Sequence, residues 1–598
     1  ARFWGTCFSA GANFPTHEQA EKIARRLASF GVNIVRTHHA DAFWSERNFF
    51  GNNAPDTRHF DAEALDRFDY LIYCLEREGI YVYLDQLVNR KFTSADGVDA
   101  AEELPVCGKP YSNFDPKLIE LQKEFSRMLW THVNPYTGKA YKDDPAIVLM
   151  EFANENDLFT QTVTLEPYRS RLEEMYRQWA RERGIDVPPG RVDFVRRTDS
   201  IMAFFVDIQR KFYEDMRRYL REVVGVQVPM TGSNWSRNAA LLAALEVCDF
   251  TDSHAYWHHP TDDGTVGNSP AMRAVAPMVG TLAFNRLAGK PFFVSEWNEP
   301  WHNGWRAEMP LFMAAVAALQ DWDGLTIYTY AHTSERMPSI DYLSGAFETF
   351  NDPALFGLFP HAALIYRRGD VRPAREKWVI TVPEDSIAVE NSLALWDVKV
   401  LRGLPELHQT FIALRKAPAW ADRVLGPRDQ PLENADHELI SDTGELKHYP
   451  SRGYCLIDAP RTQAAIGFLG SAGEIRTSSL VIHCSTDFAT IAVSSLTDEP
   501  IAQSPRLLVT MVGRAENKGT RYDMTHRRLI SRGTGPILCE PVVASLRIAN
   551  RGRVFDVFAI DPDGSRRKIG EAKPTGGALN LEADGSAKTI YYEIIARQ

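Results

Sequence analysis

From Phe3 to about residue 370, short apolar runs rich in β-branched residues alternate with longer amphipathic stretches. A period of two giving way repeatedly to a period near 3.6 is the pattern of βα units around a parallel sheet. A first strand is expected at Phe3-Trp4-Gly5-Thr6-Cys7, followed by a helix with Ala20, Ile23, Ala24 and Leu27 on one face. Gly31 stops that helix, and the second strand follows at Val32 to Arg36. Further strands are expected at Ile80 to Asp85, Ala146 to Phe152, Val228 to Gly232, Phe250 to His254, Pro291 to Glu296 and Gly324 to Tyr328. Eight such strands with helical crossovers predict a (β/α)8 TIM barrel over residues 1–375, with a charged helical insertion near 158–200.

Beyond residue 375 the texture changes. Residues 376–440 read as a linker or mixed segment with one helix from Leu404 to Arg415. From 441 to 598 short alternating strands, among them Leu480 to Cys484 and Arg506 to Val512, are punctuated by turns such as Asp563-Gly564. That is the pattern of an antiparallel β-sandwich. A chain of 598 residues exceeds what one core serves, in keeping with this division.

Composition narrows the partners. The net charge of -11, with no basic stripe or Lys/Arg run, argues against nucleic acid. No apolar run approaches the roughly 18 residues that cross a bilayer. The seven cysteines are odd in number, scattered and never spaced CxxC, so they read as reduced core thiols with a lean toward a cytoplasmic setting. The chain opens on Ala1-Arg2-Phe3-Trp4 without an initiator Met, as expected of a trimmed precursor. Cytoplasmic and secreted or periplasmic locations both stay open, as does the oligomeric state.

In a barrel of this kind chemistry collects where the strands end. Those positions hold Arg36, His38 and His39; Asp85 and Gln86; Asn154 and Glu155; Asn234 and Trp235; His254 and Tyr256; Glu296 and Trp297; and Tyr328 and Tyr330. Two glutamates directly follow apolar strands, Glu155 after the fourth and Glu296 after the seventh. Strands four and seven lie roughly across a closed barrel, so these carboxyls can flank one sugar. Glycoside cleavage needs such a pair, one protonated to donate to the leaving oxygen and one ionised to attack the anomeric carbon. A separation of about 5–5.5 Å goes with retention, about 6.5–9.5 Å with inversion. The like charge of Glu296 is expected to raise the proton affinity of Glu155.

Asn154-Glu155 after strand four, His254-Ala255-Tyr256 at strand six, Glu296 ending strand seven and Arg36 ending strand two resemble glycoside hydrolase clan A, within it the family 5 cellulase-like retaining glycosidases. The resemblance covers about residues 1–370. It implies Glu155 as acid/base, Glu296 as nucleophile, Asn154 on the sugar 2-hydroxyl, Arg36 and Tyr256 holding Glu296, and His254 near the acid. Two positions depart from the family pattern: Leu87 stands where a His two residues after the strand-three Asp is common, and Tyr328 or Tyr330 occupies the region of the strand-eight Trp.

One of His38 and His39 is expected to face the site, and His39 is preferred. Trp235 and Trp297, beside strand ends, are the preferred sugar-stacking aromatics. The leading expectation is a retaining β-glycosidase acting by double displacement on an oligo- or polysaccharide, exo-acting if the insertion at 158–200 and the loops 87–115 and 257–275 wall the cleft. No cofactor is implied. The alternatives are a carbohydrate-binding barrel without catalysis, motivated by Leu87 and strand eight, and a metal-dependent hydrolase, motivated by His254, His258 and His259. The histidines lack HxH or HExxH spacing, so no metal ligand is assigned.

Overall fold

The computed structural model describes residues 2–235, 237–337, 340–430, 432–550 and 553–597. Eight parallel strands form one sheet: β1 (Phe3–Ser9), β2 (Ile34–His38), β3 (Tyr81–Asp85), β4 (Ile147–Glu151), β5 (Met230–Thr231), β6 (Thr251–Tyr256), β7 (Phe292–Asn298) and β8 (Gly324–Ile327). Their order, β5-β4-β3-β2-β1-β8-β7-β6, wraps β1 onto β8 and leaves β5 and β6 at the two ends. Just ahead of β6, Asp249 N–H donates to the Met230 carbonyl at 2.9 Å, so the sheet is a nearly closed barrel.

The outer helices follow the pattern in the sequence. Helix His17–Ser29 begins with a capping box: Thr16 N–H donates to Gln19 Oε1 and Gln19 N–H to Thr16 Oγ1. Its buried face is Ala20, Ile23, Ala24 and Leu27. The insertion supplies helix Tyr168–Glu182, tied to the loop after β3 by Arg171, which pairs with Asp99 and Asp115.

Inside the barrel, Ile34, Tyr83, Leu149, Phe250 and Phe293 close the lower end as an apolar layer. Side chains along a strand alternate in direction. Two residues further on, the same inward rows carry Arg36, Asp85, Glu151, Asp252 and Ser295. A buried polar layer therefore stands directly on the apolar one.

Residues 376–440 correct one expectation. The helix from Leu404 to Arg415 is absent: Leu404–Glu406 makes a single 3-10 turn and Gln409–Leu414 is a strand. It joins a parallel sheet of β9 (Lys377–Val382), β10 (Gln409–Leu414) and β11 (Arg423–Leu425), with β9 in the middle. The cause is a partner remote in sequence. Ile412 N–H donates to the Arg286 carbonyl and the Ile412 carbonyl accepts from Ala288 N–H, both at 2.8 Å. Phe411 lies under the Arg286 guanidinium at 3.8 Å. Strand pairing of this kind overrides a short segment's helical period.

The C-terminal part is built from a nine-stranded and a four-stranded antiparallel sheet, with an apolar core that includes Ile482, Ile491, Leu546 and Ile594. It is fixed to the barrel through helix Phe359–Tyr366, where His361 bonds Ser494 Oγ (2.7 Å) and Thr510 Oγ1 (2.8 Å). The barrel core itself continues into Ile457, Ile466 and Ala492. From this unit an arm of two short ladders, Ala515–Lys518 with Thr534–Cys539 and Arg521–Tyr522 with Leu529–Ser531, leans back over the barrel rim. The Arg527 carbonyl accepts from Val266 N–H (2.9 Å) and from His302 Nε2 (2.8 Å). Asn517 brackets Leu343, accepting from its N–H and donating to its carbonyl. Six cysteines are buried and Cys539 is exposed, all of them free thiols. Among the described residues no helix is long and apolar enough to cross a membrane.

Candidate active site

Arg36 sits at the centre of the polar layer, fully buried. Its Nη1 donates to Glu296 Oε1 (2.6 Å), its Nε to Asp85 Oδ1 (3.0 Å), and its Nη2 to Glu151 Oε2 (3.0 Å) and Asn154 Oδ1 (3.1 Å). One cation thus faces three carboxyl groups. Burial pushes Asp85 up to about 6 against the pull of Arg36, and pushes Glu151 well above the usual carboxylate range.

Glu155 follows β4 in a left-handed conformation, φ 46°, which turns its side chain over the barrel mouth. Asn234, after β5, accepts from Glu155 N–H at 3.0 Å and donates to Asn154 Oδ1 at 2.8 Å. Both acceptor contacts of Asn154 fall on Oδ1, so its Nδ2 remains as a donor toward the cavity. Glu155 Oε1 lies 2.9 Å from His254 Nδ1, and Ser295 Oγ lies 2.8 Å from His254 Nε2. With Glu155 ionised, His254 carries its proton on Nδ1 and accepts from Ser295. Burial raises the Glu155 carboxyl, but the hydrogen bond and charge of His254, helped by Lys109 and Arg36, outweigh it and leave the group below its ordinary value. The expected upward push from Glu296 is overturned: the nearest strong partner of Glu155 is a donor.

On β7 the register slips. Asp252 pairs with Phe293 but His254 with Glu296, so two residues of β6 face three of β7. Such a bulge re-aims side chains. Here Ser295 and Glu296 both face the interior. Tyr256 O–H donates to Glu296 Oε2, and His38 Nε2 lies 3.2 Å from Glu296 Oε1. One oxygen of Glu155 and one of Glu296 lie within 4.8 Å of each other.

Trp297 is a correction. The strand runs on to Asn298, so the residue after Glu296 points outward, where Trp297 is fully buried 5.8 Å from Trp4. It does not reach the cavity. Trp235 does, with Arg237 stacked on it at 4.1 Å. Tyr328 lines the cavity and holds Ser9 Oγ and His332 through its hydroxyl, whereas Tyr330 is buried on the outside, accepting from Arg26. The choice between His38 and His39 dissolves. Because His39 is left-handed (φ 55°), both rings line the cavity, their centroids 3.9 Å apart. His38 touches Glu296, while His39 bonds Ser9 Oγ at 2.8 Å. His38 also bonds Asp85 at 2.5 Å, so a histidine meets the strand-three Asp even though position 87 is a buried Leu.

The cavity holds about 670 Å³. Its walls come from Trp257, His258, His259, Met278, Phe347 and Leu395, and not from loop 87–115 or the insertion, which pack on each other. Phe347 and Leu395 carried no sequence signal, since neither stands at the end of a barrel strand. His258 and His259 turn away from His254, to Ser269 Oγ and the Pro260 carbonyl. Among the described residues, the group able to share an ion is Glu155, His254 and Glu296 themselves.

No family model and no curated protein matches the chain. Among solved structures, the endo-beta-1,4-mannanase from Thermotoga petrophila is similar over 97% of this chain and 97% of its own, at 11% identity and a TM-score of 0.41. A glycoside hydrolase family 5 mannosidase from Rhizomucor miehei is similar over 61% of this chain and 93% of its own, at 11% identity and a TM-score of 0.38. GH5_18 from Streptomyces cattleya, solved in complex with GlcNAc, is similar over 72% of this chain and all of its own, at 15% identity and a TM-score of 0.44.

Proposed function

We propose that the chain is a retaining glycoside hydrolase of the family 5 kind, with Glu155 as acid/base and Glu296 as nucleophile. The observation that carries the reading is the approach of one Glu155 oxygen and one Glu296 oxygen to within 4.8 Å across the barrel mouth. That close approach favours the separation of about 5–5.5 Å that goes with direct attack over the about 6.5–9.5 Å that goes with an interposed water.

In the first step Glu155 gives its proton to the glycosidic oxygen while Glu296 bonds the anomeric carbon and the C–O bond to the leaving group breaks. Arg36 and Tyr256 hold Glu296 ionised and aimed. In the second step Glu155, now a carboxylate, takes a proton from water, whose oxygen displaces Glu296 and releases the sugar. Asn154 Nδ2 is placed to donate to the 2-hydroxyl. The downward pull of His254 suits Glu155 to the second step and puts the first step's optimum on the acid side. Exo action is the finer part of the reading, supported by the wall that Trp257, His258 and His259 of loop 257–275 give the cavity.

The test is the Glu296→Ala protein with an aryl β-glycoside. Turnover is expected to vanish and azide to restore part of it as a glycosyl azide. A rate like that of the unmodified protein sinks the assignment. Release of single sugars from the chain end, against a ladder of internal fragments, decides exo from endo.

A further inference from the structure

The chain is acidic as a whole, with a net charge of -11. Residues 514–532 run the other way. They hold Arg514, Lys518, Arg521, Arg527, Arg528 and Arg532 against Glu516 and Asp523, six cations less two anions, for a local excess of +4. All six cationic residues are exposed. Arg514 pairs with Glu540, while Arg521, Arg527, Arg528 and Arg532 have no ion-pair partner among the described residues. In the sequence the longest run among the four is the pair Arg527-Arg528. The two ladders of the arm fold them onto one projection.

The arm touches the two loops that wall the cavity. The Arg527 carbonyl holds Val266, in the loop that carries Trp257, His258 and His259. Asn517 holds Leu343, in the loop that carries Phe347. The cavity itself carries a further cation. Arg237 lines it with no carboxylate partner among the described residues, and outside the lining Lys109 is likewise without an ion pair while its charge reaches Glu155, His38 and His39. The acids lining the cavity are Glu155 and Glu296, each already engaged, by His254 and by Arg36. Like charges gathered on one arm repel, and an anion laid across them relieves that repulsion.

We infer that the cavity and the arm together bind a polyanionic glycan, one bearing carboxylate or sulfate groups along its chain, with the arm holding the chain that leads away from the cavity. The substrate class rests on the glycosidase reading above; the binding itself does not.

The experiment measures affinity by titration calorimetry with the full-length Glu296→Gln protein, using polygalacturonate, chondroitin sulfate, a neutral β-mannan and duplex DNA. The anionic glycans are expected to bind and the mannan to bind at least about tenfold more weakly, with the difference shrinking as salt is raised. Preference between the first two identifies carboxylate or sulfate. An Arg527→Gln/Arg528→Gln double variant, and separately Arg237→Gln, should each lose about tenfold for the preferred anionic glycan. The inference is overturned if the mannan binds as tightly, if the arm variant binds unchanged, if no anionic glycan binds, or if DNA binds as well as the glycans. Binding without turnover of any glycoside by the unmodified protein would overturn the glycosidase reading alone.

Discussion

His254 and Glu155 are hydrogen-bonded, Nδ1 to Oε1 at 2.9 Å, and this contact outweighs the burial that would otherwise raise the carboxyl. The same ring comes within 3.6 Å of Glu296 Oε1 through Nε2, so one imidazole stands between the two carboxylates.

The first prediction concerns pH. As the acid of the first step, Glu155 must be protonated, so its pKa sets the alkaline limb of kcat/KM. His254 holds that pKa down, and His254→Ala should move the limb to higher pH while lowering the maximum. A limb that stays in place or moves to lower pH removes His254 from this role.

Tyr256 donates its hydroxyl hydrogen to Glu296. A hydrogen bond to a charged group contributes about 1.5–3 kcal/mol. Tyr256→Phe should therefore lower kcat by roughly 10–100-fold. KM should change little, because the carboxylate keeps Arg36. Steady-state kinetics on an aryl glycoside separate the two parameters, and an effect confined to KM would contradict the assignment.

The two tryptophans divide cleanly. Trp297→Ala empties a core site against Trp4 and should cost about 3–5 kcal/mol of stability, read from urea unfolding, without raising KM. Trp235→Ala should do the opposite, raising KM while leaving the unfolding midpoint in place. Exchange of these outcomes would put Trp297 back in the site.

Glu308 predicts a stability trend. Buried beside Glu299, it accepts from Ala271 and Met272 N–H groups, and burial pushes it up to about 8. An acid whose folded pKa is raised holds its proton longer in the folded state. Stability is then greatest below the ordinary carboxylate range and falls as pH rises toward 8. Urea midpoints measured from pH 5 to 8 should show this slope, and Glu308→Gln should flatten it. An equal slope in both proteins is the contrary result.

The barrel could be read from the chain because each strand is a continuous apolar run closed by glycine or polar residues, as at Gly31 before β2 and Gly79 before β3. The row Ile34, Arg36, His38 follows from alternation alone, as does Phe250, Asp252, His254, Tyr256. What escaped depended on contacts across the fold. The bulge at Ser295 is invisible without β6 beside it, and the reach of β7 to Asn298 is what turns Trp297 outward. Gln409–Leu414 has a helical look until Arg286 and Ala288 offer it a ladder. Phe347 and Leu395 reach the cavity from loops far from the strand ends. The low proton affinity of Glu155 needed the position of His254, which spacing does not fix.

The single arginine beneath the site has a consequence for proton accounting. Arg36 offers one positive charge to Asp85, Glu151 and Glu296, and burial raises Asp85 and Glu151, so these two retain protons at a pH where isolated carboxyls have lost theirs. Asp85 and Glu296 are joined through the two nitrogens of His38. A proton held on Asp85 lets the neutral ring donate from Nε2 to Glu296, and a proton lost there reverses the ring's polarity. Whether His38 offers Glu296 a hydrogen or a lone pair is therefore decided at Asp85, and an amide at that position, outside the cavity lining, is a means of fixing it.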